Sequence, residues 1–220
     1  MALLDGPRWG PRETGAARQL VVLCHGLGAD GQDLIDLAPY WGRALPHAAF
    51  VAPDGPQACD AVSPGGPFGR QWFSVGDRTP ERIAAGAAGA RAALDEFIDA
   101  ELARLGLPAE AYALMGFSQG AMTALYTGLR RAVAPRGVLA FSGALVAAER
   151  LGEATWRPPV LIVHGEDDEV VPVGRSRAAQ KALESGGFAV TAVYSPRLGH
   201  GIDDAGLSAG ALFLQRIFAG

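Results

Sequence analysis

Only two cysteines, Cys24 and Cys59, occur in the 220 residues. They form no CxxC pair and no spacing that suggests a disulfide framework, which fits a reducing compartment. The chain also lacks a His-Glu-x-x-His pair or comparable ligand spacing, which argues against a zinc hydrolase. No basic cluster is interleaved with aromatics and the net charge is only −4, so nothing points to nucleic acid as a partner. No apolar run approaches the length of about 20 residues that spans a bilayer. The N-terminus has neither the basic segment nor the long apolar segment of a secretory signal. Internal repeats, low-complexity tracts and linkers are absent too. With 49% hydrophobic residues, the expectation is one soluble cytoplasmic domain over 1–220.

What is present centres on Gly116-Phe117-Ser118-Gln119-Gly120. It lies between an apolar run, residues 111–115, and a helix-forming stretch, residues 121–126. Strand, Gly-x-Ser-x-Gly, helix is the pattern of a nucleophile elbow. The flanking glycines let strand and helix approach closely, and the serine projects at a helix N-terminus that favours negative charge.

The other segments alternate in the same sense. Residues 1–18 carry turn signals and suggest a short edge hairpin. Residues 19–24 are a continuous apolar run of the kind buried in a parallel sheet. A glycine-rich turn, 25–31, leads to a helix expected over about 33–44, and residues 48–52 form the next strand. Residues 53–79 read as a long irregular loop carrying aromatics. Thr79-Pro80-Glu81 starts a helix with a threonine N-cap, and an apolar face recurs every three to four residues to Leu105. Further strands fall at 137–141, 159–164 and 188–194, with helices at 173–185 and about 203–218. The pattern predicts an α/β fold: a doubly wound, mostly parallel sheet with helices on both faces.

A serine nucleophile needs a base, and the base needs an acid to orient it. The α/β-hydrolase order is nucleophile, acid, histidine. Of the four histidines, only His200 follows both the elbow and an acidic loop. His25 reads as a structural residue beneath its turn. The acid stays open between Glu166, Asp167 and Asp168, all in the loop after a strand. Oxyanion donors are expected from the backbone amides of Gln119 and of Leu27 in the glycine-rich turn.

These segments together resemble the phospholipase/carboxylesterase family of α/β-hydrolases, which includes the acyl-protein thioesterases. The resemblance rests on residues 23–31, Gly116 through Met122, His164-Gly165 through Val170-Val171-Pro172, and Gly199-His200-Gly201-Ile202, and it covers about 18–218. It implies that Asp168 is the acid, completing a Ser118–His200–Asp168 triad. It also matches Arg70-Gln71-Trp72-Phe73 to an element beside the family's site, with Ser74 where the family carries an acidic residue.

Only residues 142–158 separate two strands where many α/β-hydrolases insert a cap, so no cap domain is expected and the site is expected to be open. Phe68, Trp72, Phe73 and Leu145 are expected to border it, with Trp72, Phe73 and Leu145 as substrate contacts. The resulting expectation is a serine carboxylesterase acting on short- to medium-chain esters, with no metal or cofactor and a small or lipid-like acyl ester as substrate. An acyl-protein thioesterase or lysophospholipase with the same triad is the alternative. A non-catalytic binding protein of the same fold is a remote one, since all three triad residues are kept. Exposed aromatics would support a homodimer.

Overall fold

The computed structural model describes residues 3–60 and 69–219. In chain order the elements are β1 (Arg8–Trp9), β2 (Gln19–Cys24), α1 (Gly31–Ile35), α2 (Ala38–Trp41), β3 (Ala48–Val51), β4 (Gln57–Ala58), β5 (Arg70–Gln71) and α3 (Pro80–Leu105). They continue with β6 (Tyr112–Phe117), α4 (Gln119–Gly128), β7 (Val138–Phe141), β8 (Val160–Gly165), α5 (Gly174–Ser185), β9 (Val190–Ser195) and α6 (Asp204–Phe218).

Seven strands form one sheet in the order β1-β3-β2-β6-β7-β8-β9. All neighbours pair in parallel except β1, which runs antiparallel to β3. Successive residues of a strand point to opposite faces, and β2 shows the result. Leu20, Val22 and Cys24 join a cluster with Leu94, Phe97 and Leu125 from α3 and α4. Val21 and Leu23 join another with Leu34, Trp41, Phe213 and Leu214 from α1, α2 and α6. Both faces of the sheet are therefore covered by helices, which is why its strands read as unbroken apolar runs. Between β7 and β8 the chain makes only a 3-10 turn, Ala148–Glu153, and no cap.

Three expectations need correction. Of the segment expected to hold an edge hairpin, the described residues 3–18 form none of their own, because the two-residue β1 adds instead to the edge of β3, with Trp9 packed on Phe50 at 5.8 Å between ring centroids. The helix expected over 33–44 is broken into α1 and α2. Pro39 has no N–H to donate to the Ile35 carbonyl, so α1 ends at Ile35 and α2 restarts with the proline in its first turn. Within the long loop, β4 and β5 form a small antiparallel pair. Thr79 does occupy the N-cap of α3, although its side chain makes no capping bond. Phe68 lies outside the described residues.

Candidate active site

The turn between β6 and α4 is built by two contacts that admit no side chain. A Cβ on Gly116 would lie 2.2 Å from the Gly120 carbonyl oxygen, and one on Gly120 would lie 1.9 Å from that of Cys24. Strand and helix therefore touch through bare backbone, and the chain reverses over a single residue. That residue is Ser118, held at φ 54°, ψ −116°, a conformation costly for any residue but glycine. Its N–H donates to the Phe141 carbonyl at 2.9 Å, which ties the turn to β7.

Asp168 and His200 meet across two loops at the same end of the sheet. The Asp167 N–H donates to the Leu198 carbonyl at 3.0 Å. Gly165 allows the approach, since a Cβ there would lie 2.3 Å from Leu198 O and 2.4 Å from Gly199 O. His200 Nδ1 then lies 2.7 Å from Asp168 Oδ2, while the Val170 and Val171 amides donate to Oδ1 at 2.9 and 2.8 Å. Burial alone would raise the Asp168 carboxyl, but the bonds from His200, Val171 and Val170 outweigh it. They hold the carboxyl below the ordinary carboxylate range. The two acids left open beside it are placed otherwise: Glu166 pairs with Arg177 at 2.6 Å, and Asp167 is exposed.

Ser118 and His200 line one cavity of about 730 Å³, together with Leu27, Phe73, Gln119, Met122, Leu145 and Val146. The His200 ring leans on Phe117, 4.8 Å between centroids. As the first residue of α4, Gln119 has an N–H with no intrahelical acceptor. In the turn after β2, the Gly28 and Ala29 amides are engaged by Arg70 O and Gly26 O. Leu27, half-buried, sits at the cavity wall between Gly26 and those two amides.

Trp72 is not where it was expected. It is wholly buried and does not line the cavity, while Phe73 and Leu145 do. An indole carries a donor that seeks a partner when buried, and here Nε1 donates to the His25 carbonyl at 2.9 Å. The neighbouring residues grip the same turn. Arg70 donates from Nε to Gly55 O at 2.9 Å and from its backbone to Ala29 O at 2.7 Å. The side-chain amide of Gln119 accepts from Trp72 N–H at 2.9 Å and donates to Phe73 O at 2.8 Å. Residues 70–73 thus clamp the glycine-rich turn onto α4, and the Gln119 side chain is the bolt. Nothing in the sequence distinguished that amide from the variable residue of a Gly-x-Ser-x-Gly motif.

His25 completes the clamp. Nδ1–H donates to Gly26 O at 2.7 Å, and Nε2 accepts from the Gly55 N–H at 2.8 Å. A carbonyl can only accept and an amide can only donate, so the ring is the neutral Nδ1–H tautomer. Burial, the dominant influence, pushes its pKa below the ordinary histidine value, against the Gly26 carbonyl and Asp54, Asp30 and Asp33. Stability follows with a definite sign. Below about 6.5 an unfolded chain protonates this histidine before the folded chain does. His25 therefore stabilises the fold above that value, and the contribution is lost as pH falls through the folded pKa. The urea midpoint of wild type is expected to fall more steeply from pH 7.5 to 5.5 than that of His25→Asn. Equal slopes would refute the assignment.

The sequence profile of the Phospholipase/Carboxylesterase family matches residues 12–217. The chain belongs to that family. It is 31% identical over 188 residues to esterase YpfH of Escherichia coli K12, covering 86% of this chain and 78% of that protein. It is 34% identical over 171 residues to acyl-protein thioesterase 1 of Schizosaccharomyces pombe, covering 74% of each. Among solved structures, that of esterase PE8 superposes with a TM-score of 0.90 at 42% identity, over 98% of this chain and 100% of that one. This family member is accordingly an ester hydrolase of the serine-dependent α/β-hydrolase type. Among the described residues no helix is long and apolar enough to cross a membrane.

Proposed function

We propose that the protein is a serine carboxylesterase that cleaves short- to medium-chain carboxylic esters through an acyl-enzyme. The observation that carries this reading is the convergence of Ser118 and His200 on one cavity with Asp168 Oδ2 2.7 Å from His200 Nδ1. Ser118 Oγ attacks the ester carbonyl while His200 Nε2 takes its proton and returns it to the leaving alcohol. Asp168 keeps the Nδ1–H tautomer and stabilises the imidazolium that forms. The amides of Leu27 and Gln119 receive the oxyanion. Water then repeats the sequence with the acid as product. Ile83, Val75, Met122, Leu145 and Val146 give the acyl chain an apolar wall.

A thioester carbonyl would suffer the same attack, and the relatives named acyl-protein thioesterases favour this as a second reading. Turnover of p-nitrophenyl esters from acetate to palmitate, set beside an S-palmitoylated peptide, separates the two. The expected result is kcat/KM peaking at or below about eight carbons and exceeding that on the peptide at least tenfold. A peptide preferred over every ester would replace the carboxylesterase reading by the thioesterase one. Inactivity on all of them, with no acyl group on the Ser118 peptide by mass spectrometry, would end both.

A further inference from the structure

A second histidine touches the acid of the proposed triad. His164 lies in β8, four residues before Asp168, and is wholly buried. Its Nε2 lies 3.1 Å from Asp168 Oδ2 and 2.8 Å from the Val171 carbonyl oxygen. A carboxylate and a carbonyl only accept, so Nε2 carries a proton. On the other side of the ring, Nδ1 lies 2.7 Å from Ser176 Oγ, which in turn lies 3.0 Å from the Gly143 carbonyl oxygen. That serine is itself buried, on α5. Gly143 abuts the nucleophile's turn, since a Cβ there would meet Ala121 Cβ at 2.5 Å and Ser118 O at 3.2 Å. Next to it, Ser142 Oγ donates to Gly201 O at 3.4 Å, bracing the residue after His200.

The Asp168 carboxylate thus receives three hydrogen bonds and has one further N–H edge close by. Val170 and Val171 amides fill Oδ1 and His200 Nδ1–H donates to Oδ2, while His164 Nε2, whose N–H donates to the Val171 carbonyl, lies 3.1 Å from Oδ2. We propose that His164 is a positioning residue for the catalytic acid. By holding the Val171 carbonyl, whose own amide donates to Oδ1, and by setting its N–H edge 3.1 Å from Oδ2, with its ring fixed by Ser176, it keeps the Asp168 carboxylate aimed at His200. This role rests on the triad reading given above, and His164 touches no reacting atom.

The other ionisable groups nearby are turned to solvent. Asp33, Arg78, Glu149 and Arg175 line the cavity but are exposed. On the acid's own loop Glu166 pairs with Arg177, while Asp167 and Glu169 are exposed. On the loop of His200, Arg197 is exposed and Asp203 caps α6 through the Gly206 N–H at 2.8 Å.

The test is the pH profile of p-nitrophenyl butyrate hydrolysis for wild type, His164→Leu, His164→Gln, Ser176→Ala and Asp168→Asn. Active sites are counted by fluorophosphonate labelling, so misfolded protein does not enter kcat. A carboxylate that loses an N–H edge 3.1 Å away, and the anchor of the segment whose amides donate to it, is more basic. His164→Leu is therefore expected to move the acid limb of kcat/KM upward by about half to one pH unit. It is also expected to lower kcat about tenfold to a hundredfold with KM little changed. His164→Gln restores an N–H donor for the Val171 carbonyl and is expected to recover most of both losses. Ser176→Ala is expected to show the same changes at a few-fold level, and carries the test if His164→Leu does not fold. Unchanged kcat and an unmoved acid limb in His164→Leu, or in Ser176→Ala in that case, overturn the proposal while an inactive Asp168→Asn leaves the triad standing. An Asp168→Asn protein as active as wild type overturns the triad itself.

Discussion

Ser118→Ala is expected to lower kcat on p-nitrophenyl esters by about 10⁵- to 10⁶-fold, with KM nearly unchanged. The loss is this large because the acyl-enzyme route disappears with the hydroxyl. The oxyanion donors and the cavity remain, so a residual acceleration of about 10³–10⁴ over water is still expected. Stability should separate from activity at this residue. The Ser118 side chain makes no capping bond to α4, so its removal costs the helix nothing. The φ of 54° is another matter. Ser118→Gly would relieve it, and is expected to melt higher than Ser118→Ala by the equivalent of about 1 kcal/mol while being as inactive. Kinetics and thermal melts of the three proteins check both halves. An alanine variant within tenfold of wild type would remove Ser118 as nucleophile. A glycine variant no more stable than alanine would show that the turn holds no strain to release.

Much of this was legible in the sequence because the physics there is local. A parallel sheet covered on both faces writes continuous apolar runs, and β2, β3, β6, β7 and β8 all announce themselves so. The elbow is equally local, since its two glycines answer contacts within four residues or with the adjoining strand. The acid was not local. Three adjacent carboxylates differ only in which one the Leu198–His200 loop reaches, and that is decided by the approach of the two loops across Gly165. Trp72 misled for a related reason. An aromatic beside a site reads the same whether it faces substrate or carries a structural hydrogen bond, and only the position of the His25 carbonyl tells them apart. The side chains of Gln119, His164 and Ser176 were invisible on the same ground: each acts on residues 12 to 47 positions away, or through a ring whose far side is met by another element.

Gly120→Ala is expected to be strongly destabilising although it adds a single methyl. The new Cβ would lie 1.9 Å from Cys24 O, 2.4 Å from Cys24 C and 2.5 Å from His25 O. All three atoms are backbone, so no rotamer change can make room. Cys24 ends β2, which is paired on one side with β3 and on the other with β6, so the strand cannot retreat alone. Nor can the helix tilt freely, because the Gly120 carbonyl already lies where a Gly116 side chain would be. The methyl must push α4 off the sheet or bend the end of β2, and the second movement carries His25 and the oxyanion turn with it. The cost is expected to exceed about 4 kcal/mol, a large share of the 5–15 kcal/mol typical of a folded domain. Gly89→Ala on α3 is the control, because a Cβ there meets nothing within 4 Å. It is expected to gain about 0.5–1 kcal/mol from helix propensity. Urea unfolding of both variants measures the contrast. A Gly120→Ala protein that unfolds with wild type would mean that strand and helix are not in backbone contact at the elbow, and the geometry assigned to Ser118 would go with it.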